Sequence, residues 1–441
     1  MILKETPKNL VTLDTLVALC KRRGFIFQTA EIYGGLNGFY DFGHLGTLLK
    51  ENIRQAWRNS LFNDKGEIVF LEGSIVGPEA MWVASGHVQN FHDPMVDCVE
   101  CKHRYRADHI DLEKSCPNCG KKKWTEVRTF NMMFKTNIGA SEAHSNIGYL
   151  RPETAQSIFV NFKNVLSTAR VKLPFGIAQI GKAFRNEITP KQFLFRMREF
   201  EQMEIEWFCE ADDANQMFEF WRDKRLQFYT ELGINKDKLR LHKHEKEELA
   251  HYSTQTDDIE YNFPFGWKEL EGIAHRGNFD LTQHTQHSGK DLAVFNEQTK
   301  TSVIPDVIEC SVGTDRLLLT ILFDSYREDT VGGEARTYFA FKPSIAPIKA
   351  AFFPLSKKLE ESARTVFNEI RKTIPNIQFD VSGSIGKRYR RQDEIGTPLC
   401  FTYDFDSEET QTITVRDRNT TEQERIAIDQ ILPYIQKILA S

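Results

Sequence analysis

Two C-x-x-C pairs, "CVEC" at 98–101 and "CPNC" at 116–119, stand 14 residues apart and constrain their neighbourhood more than any other stretch of the chain. Each pair can set two thiolates on one tight turn, and two such turns complete a tetrahedral shell closed to substrate, as in structural zinc sites. Cys98, Cys101, Cys116 and Cys119 are the expected ligands and Zn²⁺ the expected ion. A redox dithiol would need one pair only, in a thioredoxin-like setting. The other four cysteines, Cys20, Cys209, Cys310 and Cys400, are isolated and do not form the paired framework of a small secreted domain. A reducing, cytoplasmic setting is expected.

The chain around this module is globular in composition. Its 441 residues exceed one ordinary core and imply roughly two or three domains. With 40% hydrophobic and 27% charged residues it can bury a sizeable core. No run approaches the ~18 apolar residues of a membrane span. The opening "NLVTLDTLVALCKRRGF" reads as a capped helix, with basic residues in its last turn and Gly24 as its stop, not as a signal peptide. A net charge of -5 argues against coating nucleic acid non-specifically, so any such partner is met by local patches.

Residues 1–90 read as helix, Gly-rich loop and helix; 91–129 as the knuckle module; 130–210 as strands. Residues 211–262 read as mainly helical and charged, 263–313 as strands again, and "TDRLLLTILFDSY" as a helix. In "LHKHEKEELAH", His242, His244 and His251 read as a solvated helix surface rather than a metal cluster. Trp57, Trp82, Trp207 and Trp221 read as core. "FKPSIAP" predicts a hinge, after which 341–441 alternates strand and helix, the pattern of a small α/β domain with a mixed sheet. Within it, Lys387, Arg388, Arg390 and Arg391 form either a solvated helix face or a contact for phosphates and bases.

Two arginines are oddly placed. "FGIAQIGKAFRNE" (175–187) reads as one strand whose alternation sets Arg185 and Glu187 on the same face. "VIPDVIECSVGTDRLLLTILF" reads as strand, turn at Gly313 and helix, so Arg316 falls in a first turn, where the macrodipole disfavours cations. Beside free backbone N–H groups it would complete a site for an anion such as a nucleotide phosphate.

These segments carry a resemblance. "GKAFRNE", "FLFRMREFEQMEIEWF" and "VIECSVGTDR" resemble motifs 2 and 3 of the class II aminoacyl-tRNA synthetases, and "YGGLNGFYDFGHLGTLLKENI" resembles their dimer-forming motif 1. "EIYGG", "WVASGHVQNFHDPMVDC", "RADH", "YLRPETAQ", "ELEGIAHRGNFDL", "TQHSGKDL" and "GSIGKRYRRQDEIGTP" resemble the dimeric glycyl-tRNA synthetases over nearly the whole chain.

The resemblance implies an α+β fold. A class II antiparallel sheet flanked by helices spans 1–340, with the knuckle module as a zinc-ribbon-like insertion, and an anticodon-binding domain follows over 341–441. It also implies a homodimer acting on glycine, ATP and tRNA(Gly), with no membrane partner. Arg185 would hold the α-phosphate and the glycine carboxylate, Glu187 the adenine amino group and Arg196 the terminal phosphates. Phe200 would stack on adenine, and Arg316 would close the clamp. Asn186, Phe195, Glu269, Leu270, Gly313, Thr314 and Asp315 match the remaining ATP positions, and Mg²⁺ is expected near Glu269 and Glu309. For glycine the matching positions are Arg106, Glu153, Glu201, Gln202, Glu204, Arg276, Glu309 and Ser311, in which acids face the ammonium. Larger amino acids are excluded sterically, consistent with the lack of a segment long enough for an editing domain. His44 and Cys310 stand where the family often has proline. A catalytically silent relative that keeps the fold to bind nucleic acid is the alternative; the presence of Arg185, Arg316 and the acidic trio argues against it.

Overall fold

The structure is a computed structural model and describes residues 11–139, 146–250, 252–296 and 300–440; His251 lies outside them. The chain opens with α1 (Leu13–Arg23) and α2 (His44–Ser60), followed by the short strand β1 (Ile68–Phe70) and the single turn α3 (His87–Asn90). Then come α4 (Ala155–Ala169), β2 (Phe175–Phe184), β3 (Glu199–Cys209) and α5 (Ala214–Glu231). β4 (Leu239–Lys243), β5 (Gln255–Phe263), β6 (Gly266–Gly277), α6 (Phe279–Ser288), β7 (Asp306–Gly313) and α7 (Thr314–Ser325) complete the first unit.

The helix signals act as read. Thr12 accepts the Thr15 N–H to open α1, and Gly24 closes it at φ 77°. A Cβ on Gly24 would lie 2.5 Å from the His44 ring, so this glycine also makes room for the histidine that begins α2.

Seven strands pair in the order β4-β5-β6-β7-β3-β2-β1, antiparallel throughout except that β1 runs parallel to β2. Residues 211–262 are therefore not mainly helical. Among its described residues α5 and two short 3-10 turns are; β4 and β5 are strands that extend the main sheet, because "LRLHK" and "QTDDIEYNF" alternate with period two. The His242 and His244 stretch is accordingly strand and strand end, not helix.

One face of the sheet is apolar. Met203, Ile205, Trp207, Ile273, Cys310 and Val312 pack there with α2, α5 and α7 in the largest core, and Trp57 and Trp221 are fully buried with them. The opposite face is covered only at one end, where Phe159 and Phe162 of α4 meet Phe175, Ile177, Phe208 and Val307. At its other end the side chains turn polar: Gln179, Gln202, Glu204, Glu309 and Ser311.

The knuckle module is a three-stranded sheet of His92–Asp97, Arg104–Arg106 and Arg128–Asn131. In the second unit, β8 (Ala350–Pro354), α8 (Glu360–Thr373), β9 (Ile377–Phe379), α9 (Ile385–Ile395), β10 (Leu399–Tyr403), β11 (Thr412–Asp417), β12 (Gln423–Ala427) and α10 (Ile431–Ala440) build a mixed sheet of order β9-β8-β10-β11-β12 around a separate core. The proline-rich seam is no loose hinge. Phe341, Ile345, Ala346 and Ile348 are buried in the first unit's core. Arg418 donates to the carbonyl of Phe341 at 2.7 Å, and a Cβ on Gly396 would lie 2.3 Å from the Phe341 ring. In α9, Arg388 is spent on the carbonyls of Pro354, Val381 and Gly383, and Arg391 on Asp380, which leaves Lys387 exposed.

Candidate active site

A cavity of 390 Å³ opens over the polar end of the main sheet, within the usual range for small-ligand sites. Its wall is built from β3, β5, β6, β7 and the loops after β2 and β4. Arg185, Glu187, Phe195, Arg196, Phe200, Gln202, Glu204, Glu269, Glu309, Ser311, Gly313, Asp315 and Arg316 all line it, as does Glu153.

The strand expected to carry Arg185 and Glu187 ends at Phe184. Beyond it the backbone turns, with the Glu187 N–H donating to the Arg185 carbonyl at 2.6 Å, and this turn, not strand alternation, aims both side chains into the cavity. Arg185 donates to the Pro152 carbonyl at 3.0 Å, and its guanidinium lies over the rings of both Phe91 and Phe200, at 5.4 and 5.3 Å. Two ring contacts hold the direction of a cation without neutralising it.

Arg316 occupies the first turn of α7, as read. It pairs with Glu269 at 3.0 Å and lies 4.5 Å over the Phe195 ring. Asp315 anchors the same turn, accepting from the Glu201 N–H at 2.7 Å and from Lys50. Arg196 reaches in from the far side, nearly half exposed and 4.0 Å from Glu187.

At the opposite end the acids converge. Glu204 receives Gln202 at 2.8 Å, Ser311 at 2.7 Å and the Thr154 hydroxyl. Glu309 receives Arg276 at 2.6 Å, and Glu153 receives Gln156 at 3.0 Å and faces His87 at 3.3 Å. Burial and the charges of Glu309 and Glu153 push Glu204 up to about 7. Burial raises Glu309 as well, partly offset by Arg276. Burial also works against ionised Glu153, but His87 and Arg276 outweigh it and hold this carboxyl well below the ordinary range. A site with one ionised acid and others poised to ionise suits a small cation.

Several expected residues lie elsewhere. Alternation along β3 turns Glu201 away with Met203 and Ile205, to the face where Arg54 donates to it at 2.9 Å. Arg276 is 1% exposed and stands behind Glu309, clamped by Asp280 at 2.7 and 2.9 Å, so it supports the wall without reaching the opening. Arg106 pairs with Asp93 at 2.7 Å and lines the adjoining basic cavity beside the knuckles. Leu270 and Thr314 are fully buried, and Asn186 is tied by its N–H to the Met132 carbonyl at 2.7 Å. Cys310 faces the apolar core, so its thiol, pushed far up by burial, leaves the cavity unchanged.

Residues not anticipated also line the cavity. His244 donates to or accepts from Asp258 at 2.8 Å, and burial with the Glu269 charge pushes Asp258 up to about 6. Tyr252 covers the Arg276 guanidinium at 3.8 Å. Among the described residues, Cys98, Cys101, Cys116 and Cys119 form a compact cluster, their sulfurs all within 4.8 Å of one another. Cys98 and Cys119 are 3.6 Å apart, and Cys101 and Cys116 3.7 Å. Four thiolates about 2.3 Å from one zinc ion would be about 3.8 Å apart, so the set fits that ion. Each knuckle closes on a left-handed residue, Lys102 at φ 57° and Gly120 at φ 71°.

The chain is similar to known proteins in both of its units. The tRNA synthetase class II core domain (G, H, P, S and T) matches residues 134–325, and the anticodon binding domain matches 349–438. The glycine–tRNA ligase of Caldanaerobacter subterraneus subsp. tengcongensis is 49% identical, over 97% of this chain and 99% of its own. Those of Geobacillus thermodenitrificans and Mycolicibacterium vanbaalenii are 47% and 48% identical, over 99% and 96% of this chain and 100% and 97% of theirs. No helix among the described residues is long and apolar enough to cross a membrane. With both domains matched, and with relatives 47–49% identical over nearly the full length, the chain belongs to the glycine–tRNA ligase family of class II aminoacyl-tRNA synthetases.

Proposed function

We propose that the cavity joins glycine to ATP and then to tRNA(Gly), with Arg185 and Arg316 carrying the phosphoryl chemistry and Glu153, Glu204 and Glu309 holding the amine. The glycine carboxylate attacks the α-phosphorus, the bond to the pyrophosphate oxygen breaks, and glycyl adenylate remains. A hydroxyl of the terminal ribose then attacks the adenylate carbonyl, and AMP leaves. The observation that carries this reading is the presence of both arginines in one cavity with the three acids.

Charge develops on the non-bridging oxygens as the α-phosphorus is attacked. A guanidinium held by two ring contacts and a backbone carbonyl stabilises that charge with little reorganisation. Arg185 serves this role, Arg316 and Arg196 take the outer phosphates, Glu187 accepts from the adenine amino group, and Phe200 and Phe195 face the base and the phosphate tail. Glu269 stands at the phosphate end and suits Mg²⁺, which when bound supplies charge neutralisation across the phosphates. Glu309 is committed to Arg276 and belongs to the amine end. Glu201 and Arg276 act from behind the wall.

The catalytic unit ends where the seam residues 341–348 leave the first core, and the domain from about Lys349 onward reads the anticodon. The four-cysteine module holds structural Zn²⁺. A second copy of the chain covers the motif 1 region, where Ile32 and Tyr33 are 89% and 87% exposed. The enzyme acts in the cytoplasm, whose reducing conditions suit the isolated cysteines Cys20, Cys209, Cys310 and Cys400.

Glycine-dependent exchange of pyrophosphate into ATP tests the assignment. Arg185→Ala and Arg316→Ala are each expected to lower kcat/KM about a hundredfold. An undiminished rate in either variant contradicts its role.

A further inference from the structure

The motif "WVASGHVQNF" has no assigned task, yet it brings one titratable side chain against the acids of the cavity. His87 begins the turn α3 and is 8% exposed, with its Nε2 3.3 Å from Glu153 Oε2. Its other nitrogen, Nδ1, meets the Ser85 hydroxyl at 2.8 Å, and that hydroxyl can donate to the Trp82 carbonyl at 3.3 Å. The ring is gripped edge-to-face by Trp82 at 5.4 Å and tilted against Phe91 at 5.7 Å. An imidazole bonded at one nitrogen and packed on both sides has one remaining hydrogen-bonding direction, and here it points at Glu153.

Glu153 needs such a partner. It faces Glu204 and Glu309 in the same cavity, and its other oxygen accepts from the neutral amide of Gln156, at 3.0 Å. The nearby guanidinium of Arg276 is already shared between Asp280 and Glu309. An N–H donated from imidazole, neutral at Nδ1 or cationic, keeps one lone pair of Glu153 occupied and leaves the carboxylate turned to the opening.

The same turn supports the other end of the site. Phe91, the residue that closes α3, lies under Arg185 at 5.4 Å. The Phe91 carbonyl accepts from Met132, whose own carbonyl accepts from Asn186.

We propose that His87 is a positioning residue of the amino-acid subsite, orienting Glu153 as an acceptor for the glycine ammonium. It acts through Glu153 and touches no substrate. The proposal rests on the reading of the cavity given above and deepens it.

The test is glycine-dependent pyrophosphate exchange by the full-length enzyme, with KM for glycine, KM for ATP and kcat measured separately. His87→Ala is expected to raise the glycine KM about tenfold or more, the size of a lost hydrogen bond to a charged group, with kcat and the ATP KM within about threefold. His87→Gln, which keeps a donor, is expected to recover most of that loss. Ser85→Ala, which frees the ring to turn, is expected to raise the glycine KM less but in the same direction. In a Glu153→Gln background His87→Ala is expected to add under about twofold, because its route is already cut. The proposal is overturned if the glycine KM is unmoved in His87→Ala, if the ATP KM rises in step, or if the two substitutions multiply. Should His87→Ala fail to fold, an unmoved glycine KM in both His87→Gln and Ser85→Ala overturns it equally. Absence of glycine-dependent exchange in the unaltered enzyme would instead overturn the reading of the cavity.

Discussion

Arg276 donates to Glu309 at 2.6 Å from a position that solvent does not reach, so a surface carboxyl of the cavity is tied to a charge inside the protein. Arg276 also holds Asp280 through two nitrogens. Removing it takes from both carboxyls the cation they pair with among the described residues, and leaves Asp280 the Gln156 amide at 2.9 Å. Arg276→Ala is expected to cost about 3–5 kcal/mol of stability, the usual penalty for breaking a buried ion pair from one side. Urea unfolding of both proteins checks this. A loss below ~1 kcal/mol would mean that Arg276 is not the keystone of this wall.

On the proposed assignment of Glu204 to the glycine amine, its raised pKa is expected to make glycine binding pH-dependent. Only its ionised form attracts an ammonium, and the carboxyl loses its proton as pH rises through about 7. The glycine KM is therefore expected to fall between about pH 6 and pH 8 and to level off above, since an acid site binds a cation only after deprotonation. Pyrophosphate exchange across that range measures it. Glu204→Gln should bind glycine weakly and flatten the profile.

Glu206 lies directly beside Glu309 in the sheet, fully buried, and neither of its oxygens finds a partner among the described residues. Burial, with Glu309 next, raises this carboxyl well above its ordinary value. A group whose folded value is raised contributes its stability below the unfolded value, about 4.3, and loses it as pH climbs toward the folded one. Glu206→Gln, neutral at every pH, should then gain stability over the parent protein at pH 8 and show little difference near pH 4. Urea midpoints at the two pH values decide it, and an equal difference at both would show that Glu206 is not the titrating group.

For the knuckles, about one zinc equivalent per chain is expected by metal analysis, lost when Cys98 and Cys116 are both serine. Because the three-stranded module has almost no apolar core of its own beyond Val96 and Met95, metal loss should expose it to protease near Cys101–Cys119 while the main sheet remains intact. Unchanged protease resistance after full metal removal would count against a structural ion.

Much of this site was legible from local pattern. The helix start that exposes Arg316 and the two knuckles are short-range features, and the structure keeps both. Alternation along β3 could also have separated Phe200, Gln202 and Glu204 from Glu201, since period two alone sends Glu201 to the helices. What stayed hidden depends on distant pairs. Asp280 claims Arg276, His87 meets Glu153, and an irregular pairing after Ile259 changes which residues of β6 share a face. The histidines of β4 misled because charge density resembled a solvated helix, while the alternation of five residues was too brief to announce a strand.

The seam at Phe341 has a mechanical meaning. With Gly396 pressed bare against that ring and Arg418 bonded to its carbonyl, the two units are mortised together instead of strung on a flexible cord. The separation between helix α9 and the cavity is then set by packed atoms and not by the length of a tether.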